Sequence, residues 1–277
     1  MKFFFLSLLS GLFLFSFWGC QMPNDGVPFY LQVDSLVLIT DPTTQGENSH
    51  GITDIWVEAG SENLGAYGLP VNFPVLQDGN VRFLISAGVK ESGQSGIRVI
   101  YPFYQPDTFT INAQREGRYM RIPQFKYKQG AQFALIENFL VGNKFTTSNS
   151  ANIDKPNAGP DGSPCLQIST NTDSAVTATQ TAPAMDLPEG QEIWLEIDYR
   201  CDIPFYIGFF ANYANGVVRT PVMFVTEKPE WNKVYVKFSN FVGASQADSY
   251  NLYFEALRPF GSSGGSVWID NVKLVHF

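Results

Sequence analysis

An all-β chain, with a small N-terminal β-sandwich followed by a C-terminal β jelly roll, is what the 277-residue sequence predicts. Three observations point there. Short runs rich in Val, Ile, Phe, Tyr and Thr recur along the chain, several alternating polar with apolar, and Gly, Pro, Asn and Asp cluster between them. Beyond the leader, no stretch shows the 3.6-residue spacing of a useful amphipathic helix. Hydrophobic residues make up 44% and aromatics 15% against only 16% charged, enough material for two cores of ordinary domain size.

Taken in order, the chain opens with Met1-Lys2, a continuous apolar run from Phe3 to Trp18, and then Gly19-Cys20. The run is shorter than the roughly 20 apolar residues of a membrane span and reads as a secretory leader over residues 1–19. A Cys directly after Gly at the end of such a leader resembles the cleavage site of Bacteroidetes-type outer-membrane lipoproteins. The resemblance implies that Cys20 is lipidated, with palmitate-type chains, and that the protein is held in the outer membrane of the cell envelope. An ordinary signal peptide with an incidental Cys is the alternative. Residues 20–28 form a short polar tether. Export implies an oxidising compartment, and with Cys20 acylated the remaining thiols, Cys165 and Cys201, are either bridged or buried as free thiols.

The N-terminal β-sandwich is assigned to residues 29–129. Phe29 to Ile39 is rich in strand formers, the Asp41-Pro42 cluster ends it, and Ile52 to Glu58 alternates cleanly. The succession Leu64-Gly-Ala-Tyr-Gly-Leu-Pro70, Phe73-Pro-Val-Leu76, Asp78-Gly79 and the strand Val81 to Ser86 resembles the small PEGA-type β-sandwich. Tyr101-Pro-Phe-Tyr104 is an aromatic cluster with two readings, core filling or a sugar-stacking platform. Arg115, Arg118, Arg121, Lys126 and Lys128 make a basic stretch, read as a solvated hairpin face, with contact to anionic lipid or glycan as the alternative.

Residues 130–277 carry the jelly roll. Residues 142–164, rich in Asn, Ser, Thr, Gly and Pro, form a long candidate binding loop. Strands follow at Leu166–Ile168, Ala175–Thr179, Ile193–Tyr199, Phe205–Phe210, Val217–Val225, Lys233–Phe238 and Tyr250–Ala256. The closing strand has a phase change at Asp270-Asn271 that predicts a β-bulge. Its Trp268-Ile-Asp-Asn-Val-Lys-Leu274 resembles the last strand of galactose-binding-like jelly rolls, the fold of many carbohydrate-binding modules. That resemblance implies a structural calcium, with Glu137 and Asp270 at the matching positions. The competing reading is two strand carboxylates in ordinary hydrogen bonds.

The formal charge of −8 argues against nucleic acid, whose binding depends on Lys and Arg displacing counterions. Only His50 and His276 are available for a Ser-His or Cys-His constellation, no His/Cys metal spacing or phosphate loop is present, and the chain is expected to be non-catalytic and to require no cofactor. The aromatics open to ligand contact are Trp194, Tyr199, Tyr206, Trp231, Tyr235, Tyr253 and Trp268, with Trp231, at a loop-to-strand junction, the least expected in a core. Two functions follow: a lipid-anchored glycan-binding or adhesive protein, or an accessory subunit of an outer-membrane secretion, uptake or motility complex. Exposed, coplanar Trp and Tyr on one concave face favour sugar, and a flat apolar patch favours a protein partner.

Overall fold

A computed structural model describes residues 26–147 and 152–277, about 58% strand and 5% helix. The leader, Cys20 and most of the 20–28 tether lie outside the described residues. In the N-terminal half the strands are β1 (Phe29–Val33), β2 (Val37–Ile39), β3 (Asp54–Ala59), β4 (Glu62–Gly68), β5 (Val71–Val75), β6 (Gly79–Lys90), β7 (Arg98–Ile100), β8 (Tyr104–Gln105), β9 (Asp107–Ala113), β10 (Arg118–Met120) and β11 (Gln124–Tyr127). They are followed by β12 (Gln132–Glu137), β13 (Phe145–Thr147), β14 (Ile153–Asp154), β15 (Leu166–Asn171), β16 (Val176–Thr181), β17 (Ile193–Cys201), β18 (Phe205–Tyr213), β19 (Gly216–Val225), β20 (Lys228–Lys237), β21 (Ser249–Leu257) and β22 (Gly264–His276). Two short helices, Pro42–Gln45 and Ser239–Ser245, are the helical elements among the described residues.

The stretch expected as one strand from Phe29 to Ile39 divides into two. β1 pairs with β5 and β10, whereas β2 pairs with β11, so the chain changes sheets at residues 34–36 and turns a corner of the sandwich. The basic stretch is not one uniform face. Arg121 makes a two-pronged pair with Asp107 at 2.8 Å, Arg115 lies 3.4 Å from Asp78, and Arg118 sits over the Tyr30 ring.

The C-terminal half is a two-sheet roll. One sheet runs β14-β15-β22-β17-β20 with β12 also on β22, and the other runs β13-β16-β21-β18-β19. The strand β22 organises the first sheet. Its residues 264–269 pair with β15 and 272–276 with β12 along one edge, while β17 runs along the other. The change of partner falls at the Asp270-Asn271 bulge, where Asn271 takes φ +48°, a conformation Asn tolerates better than most residues.

The β17 strand is buried on both sides. Ile193, Leu195 and Ile197 join the core between the two sheets, while Trp194 packs into the core of the N-terminal half beside Tyr101, Tyr104 and Tyr127. Period-two geometry makes this possible, because alternate side chains of one strand serve two different cores. Tyr101 and Tyr104 are 0% and 3% exposed, so they fill this junction and are no sugar platform. The junction also buries charge. The Glu196 carboxylate accepts hydrogen bonds from the Tyr101 and Tyr127 hydroxyls at 2.7 and 2.8 Å, and Lys233 lies 3.6 Å from Asp198. Burial, followed by the nearby Glu196, holds both phenols well above their ordinary range.

Candidate functional site on the outer face of the roll

The sheet that holds β17, β20 and β22 packs Trp194, Tyr235 and Val275 of its outer face against the N-terminal half, and the other sheet presents an outer face of its own. Along β18, Phe205, Ile207, Phe209 and Ala211 point into the core, which leaves Tyr206, Gly208, Phe210 and Asn212 outside. Along β21, Tyr250, Leu252, Phe254 and Ala256 point in, and Asn251, Tyr253 and Glu255 point out. The register sets Tyr206 opposite Glu255, Gly208 opposite Tyr253 and Phe210 opposite Asn251, so the outward residues form adjacent rows. β19 adds Arg219, opposite Phe210, and Phe224, opposite Tyr206.

Gly208 makes this arrangement possible. A Cβ there would come within 2.7 Å of the Tyr253 ring and would clash with the Thr220 carbonyl oxygen. Glycine leaves room for the tyrosine ring to lie over the strand. The Tyr253 ring meets Phe210 at 4.8 Å, and Tyr206 meets Phe224 at 5.0 Å. Arg219 spans both tyrosines, with its guanidinium carbon 5.1 Å from the Tyr253 centroid and 5.5 Å from that of Tyr206, and it pairs with Glu255 at 2.5 Å. The Tyr253 hydroxyl is buried with no hydrogen-bond partner, and burial is the main cause pushing it up to about 12. Beside the aromatics, Asn212 donates to Asn251 at 2.8 Å and to Ser249 at 3.2 Å. Flat apolar rings interleaved with amides and an ion pair present both kinds of contact a pyranose offers, its C–H face and its ring of hydroxyls.

The residues singled out from sequence fall elsewhere. Glu137 accepts main-chain N–H donors on both oxygens, from Phe139 at 2.7 Å and Lys144 at 2.8 Å, and so closes the turn after β12. Asp270 accepts from the Asn271 N–H at 2.7 Å and from Ser163 at 3.4 Å, where Gly159 and Ser163 come up against β22. Among the described residues no set of three or more His, Cys, Asp or Glu is gathered as a metal site. Burial, reinforced by Asp198 and Asp161, raises Asp270 to about 7. Cys165 and Cys201 are both buried and free. They are not bridged, because β22 lies between β15 and β17, and two sheet spacings of about 4.8 Å exceed the reach of a disulfide. Trp231 is half-buried, against Arg200.

Sequence reasoning placed Tyr206 and Tyr253 in the aromatic pool but missed Gly208, Phe210, Arg219 and Glu255. The glycine between Tyr206 and Phe210, in a strand otherwise made of large residues, is the one signal that marks the outward phase.

No family model matches the chain, and no curated protein matches it. Solved structures are similar over about half of it. The module pair of a carbohydrate-binding module of family 22 and a glycoside hydrolase of family 10, from a Clostridium thermocellum xylanase, complexed with xylohexaose, is 12% identical with TM-score 0.43, covering 52% of this chain and 28% of that one. The xylan-binding domain of family 22 from a Paenibacillus barcinonensis xylanase is 14% identical with TM-score 0.41, covering 54% of this chain and 97% of that one. A family 11 carbohydrate-binding module from Clostridium thermocellum, in complex with a β-1,3-1,4-mixed-linked tetrasaccharide, is 18% identical with TM-score 0.36, covering 51% and 96%.

Proposed function

We propose that this chain is a non-catalytic glycan-binding protein that lays a saccharide chain across Tyr206, Phe210 and Phe224, with Asn212, Asn251 and the Arg219–Glu255 pair meeting its hydroxyls. The observation that carries the reading is the set of partly exposed aromatics Tyr206, Phe210 and Phe224 on one sheet face, backed by the buried Tyr253 ring that fits over Gly208. The aromatic faces supply contact area and the fixed polar groups supply orientation. The test is affinity electrophoresis and calorimetry of the full chain against a panel of soluble plant and microbial polysaccharides. At least one neutral polysaccharide binds the wild type, and Tyr206→Ala and Phe210→Ala each weaken it about tenfold or more, as expected for loss of a stacking contact of about 1–2 kcal/mol. Failure of every polysaccharide, or variants that bind like the wild type, would refute the reading.

The protein works from the outer membrane, through acylation of Cys20. Metabolic labelling with palmitate is expected to mark the wild type and to leave Cys20→Ser unlabelled and released from the membrane fraction. Labelling that persists in Cys20→Ser would place the lipid elsewhere or remove it from the account.

A further inference from the structure

Arg200 occupies a position unlike that of the other ring-bound arginines. It lies on β17 directly opposite Trp268 of β22, and a register shift in the β17–β20 ladder brings Trp231 to its other side. Its guanidinium carbon is 4.3 Å from the Trp268 centroid and 5.7 Å from that of Trp231. Arg219 and Arg121 are also held against rings, and each is completed by a carboxylate, Glu255 or Asp107. Arg118, over Tyr30, is exposed. Arg200 differs from all three. It makes no ion pair among the described residues, and its Nε is buried without a hydrogen-bond acceptor. A buried donor left unpaired is costly and is retained where it serves a purpose. Next to it, Gln167 lies opposite Trp268 on β15 and donates to Ser266 and Ser169, a polar surface within reach of ligand hydroxyls. The nearest carboxylates along the strand are already engaged. Asp198 accepts from Ser49 and Asn271, and Asp202 accepts from the Ser266 N–H.

We propose that Arg200, clamped between Trp231 and Trp268, is the centre of a second saccharide site that takes the carboxylate of a uronic acid residue. The planar fork of a guanidinium matches a carboxylate two-pronged, and indole rings on either side hold that fork in place and offer apolar surface to the sugar ring. The site is on the opposite sheet of the roll from Tyr206 and Tyr253, so it stands or falls independently of that face.

The test is a titration of the full chain with oligogalacturonate, followed by tryptophan fluorescence and calorimetry, beside the same oligosaccharide methyl-esterified. Oligogalacturonate is expected to bind saturably and to weaken with added salt, and the methyl ester to bind about tenfold more weakly or worse. Arg200→Met is expected to lose the acid-specific binding while keeping the melting temperature, because the apolar stem stays packed and the unpaired donor is gone. Arg118→Met, at a ring-bound arginine outside both saccharide faces, is expected to leave it intact. If Arg200→Met does not fold, Arg200→Lys, which keeps charge and stem but not the fork, is expected to lose most of the binding. Equal affinity for acid and ester, wild-type affinity in either Arg200 variant, or no saturable binding of oligogalacturonate or oligoguluronate overturns the proposal. Arg200-dependent binding of a poly-glutamate peptide in place of both would assign the site to acidic protein segments and overturn the saccharide.

Discussion

Asp270 is raised to about 7 because its carboxyl is 2% exposed and faces Asp198 and Asp161, with the Asn271 N–H and Ser163 as its own donors. A folded-state value above the unfolded one near 4 means that the native state holds a proton the unfolded chain has lost. The neutral carboxyl therefore contributes its stability fully below pH 4, and that contribution disappears as pH rises toward 7. Asp270→Asn keeps the acceptor and removes the charge. It is expected to raise the melting temperature at pH 8, by the equivalent of about 1 kcal/mol or more, and to change it little at pH 4. Thermal melts at the two pH values, with and without a chelator, check this. If Asp270 ligates calcium, as resemblance to galactose-binding-like rolls implies, the substitution destabilises the calcium-loaded protein at pH 8 and the chelator lowers the wild-type melting temperature. Glu137 illustrates why a residue's role was hard to read from sequence. Its two acceptor bonds go to main-chain N–H groups of residues two and seven positions on, contacts that exist only once the turn has closed.

At the scale of elements, β22 was legible and β18 was only half legible. The polar Asp270-Asn271 step interrupts an otherwise apolar-leaning alternation, and the strand does bulge there, so the phase change in sequence is the phase change in space. In β18 the sequence Phe205-Tyr-Ile-Gly-Phe-Phe210 is apolar in both phases. Nothing in the alternation states whether Phe209 or Phe210 is inside, and pairing with β21 and β19 settles it. Trp231, singled out for its place at a loop-to-strand junction, is half-buried, as are Trp268 and Tyr206. Its neighbours, Arg200 and across it Trp268, come from strands about 30 and 40 residues away in sequence, and only the sheet brings them together.

At the scale of the whole molecule, the two halves share their cores. Trp194, Tyr235 and Val275 of the roll belong to the same hydrophobic cluster as Phe29, Phe83 and Phe125, and Glu196 is held by two tyrosines of the N-terminal half. Burial lowers Lys273, beside Tyr127 in this junction, to about 8. Such a junction should make the halves unfold together. Urea unfolding followed by tryptophan fluorescence is expected to show one transition for the wild type. Glu196→Ala is expected to cost about 3 kcal/mol or more, since it leaves the buried Tyr101 and Tyr127 hydroxyls without their acceptor and removes a negative charge beside Lys233, and Glu196→Gln, which keeps an acceptor, distinctly less. Two separated transitions in the wild type, or a neutral Glu196→Ala, would show that the junction does not couple the halves.

The all-β class, the series of strands and the bulge of the last strand follow from sequence alone, because strand propensity, turn residues and period-two alternation are local properties of the chain. Which sheet face is covered and which is free followed from tertiary structure only. The N-terminal half lies across one sheet, drawing Tyr101 and Tyr104 into a core and leaving Tyr206, Phe210 and Phe224 on a free face, with Arg200 held between two tryptophans on the other sheet. That choice depends on contacts between residues far apart in sequence, which no local pattern encodes.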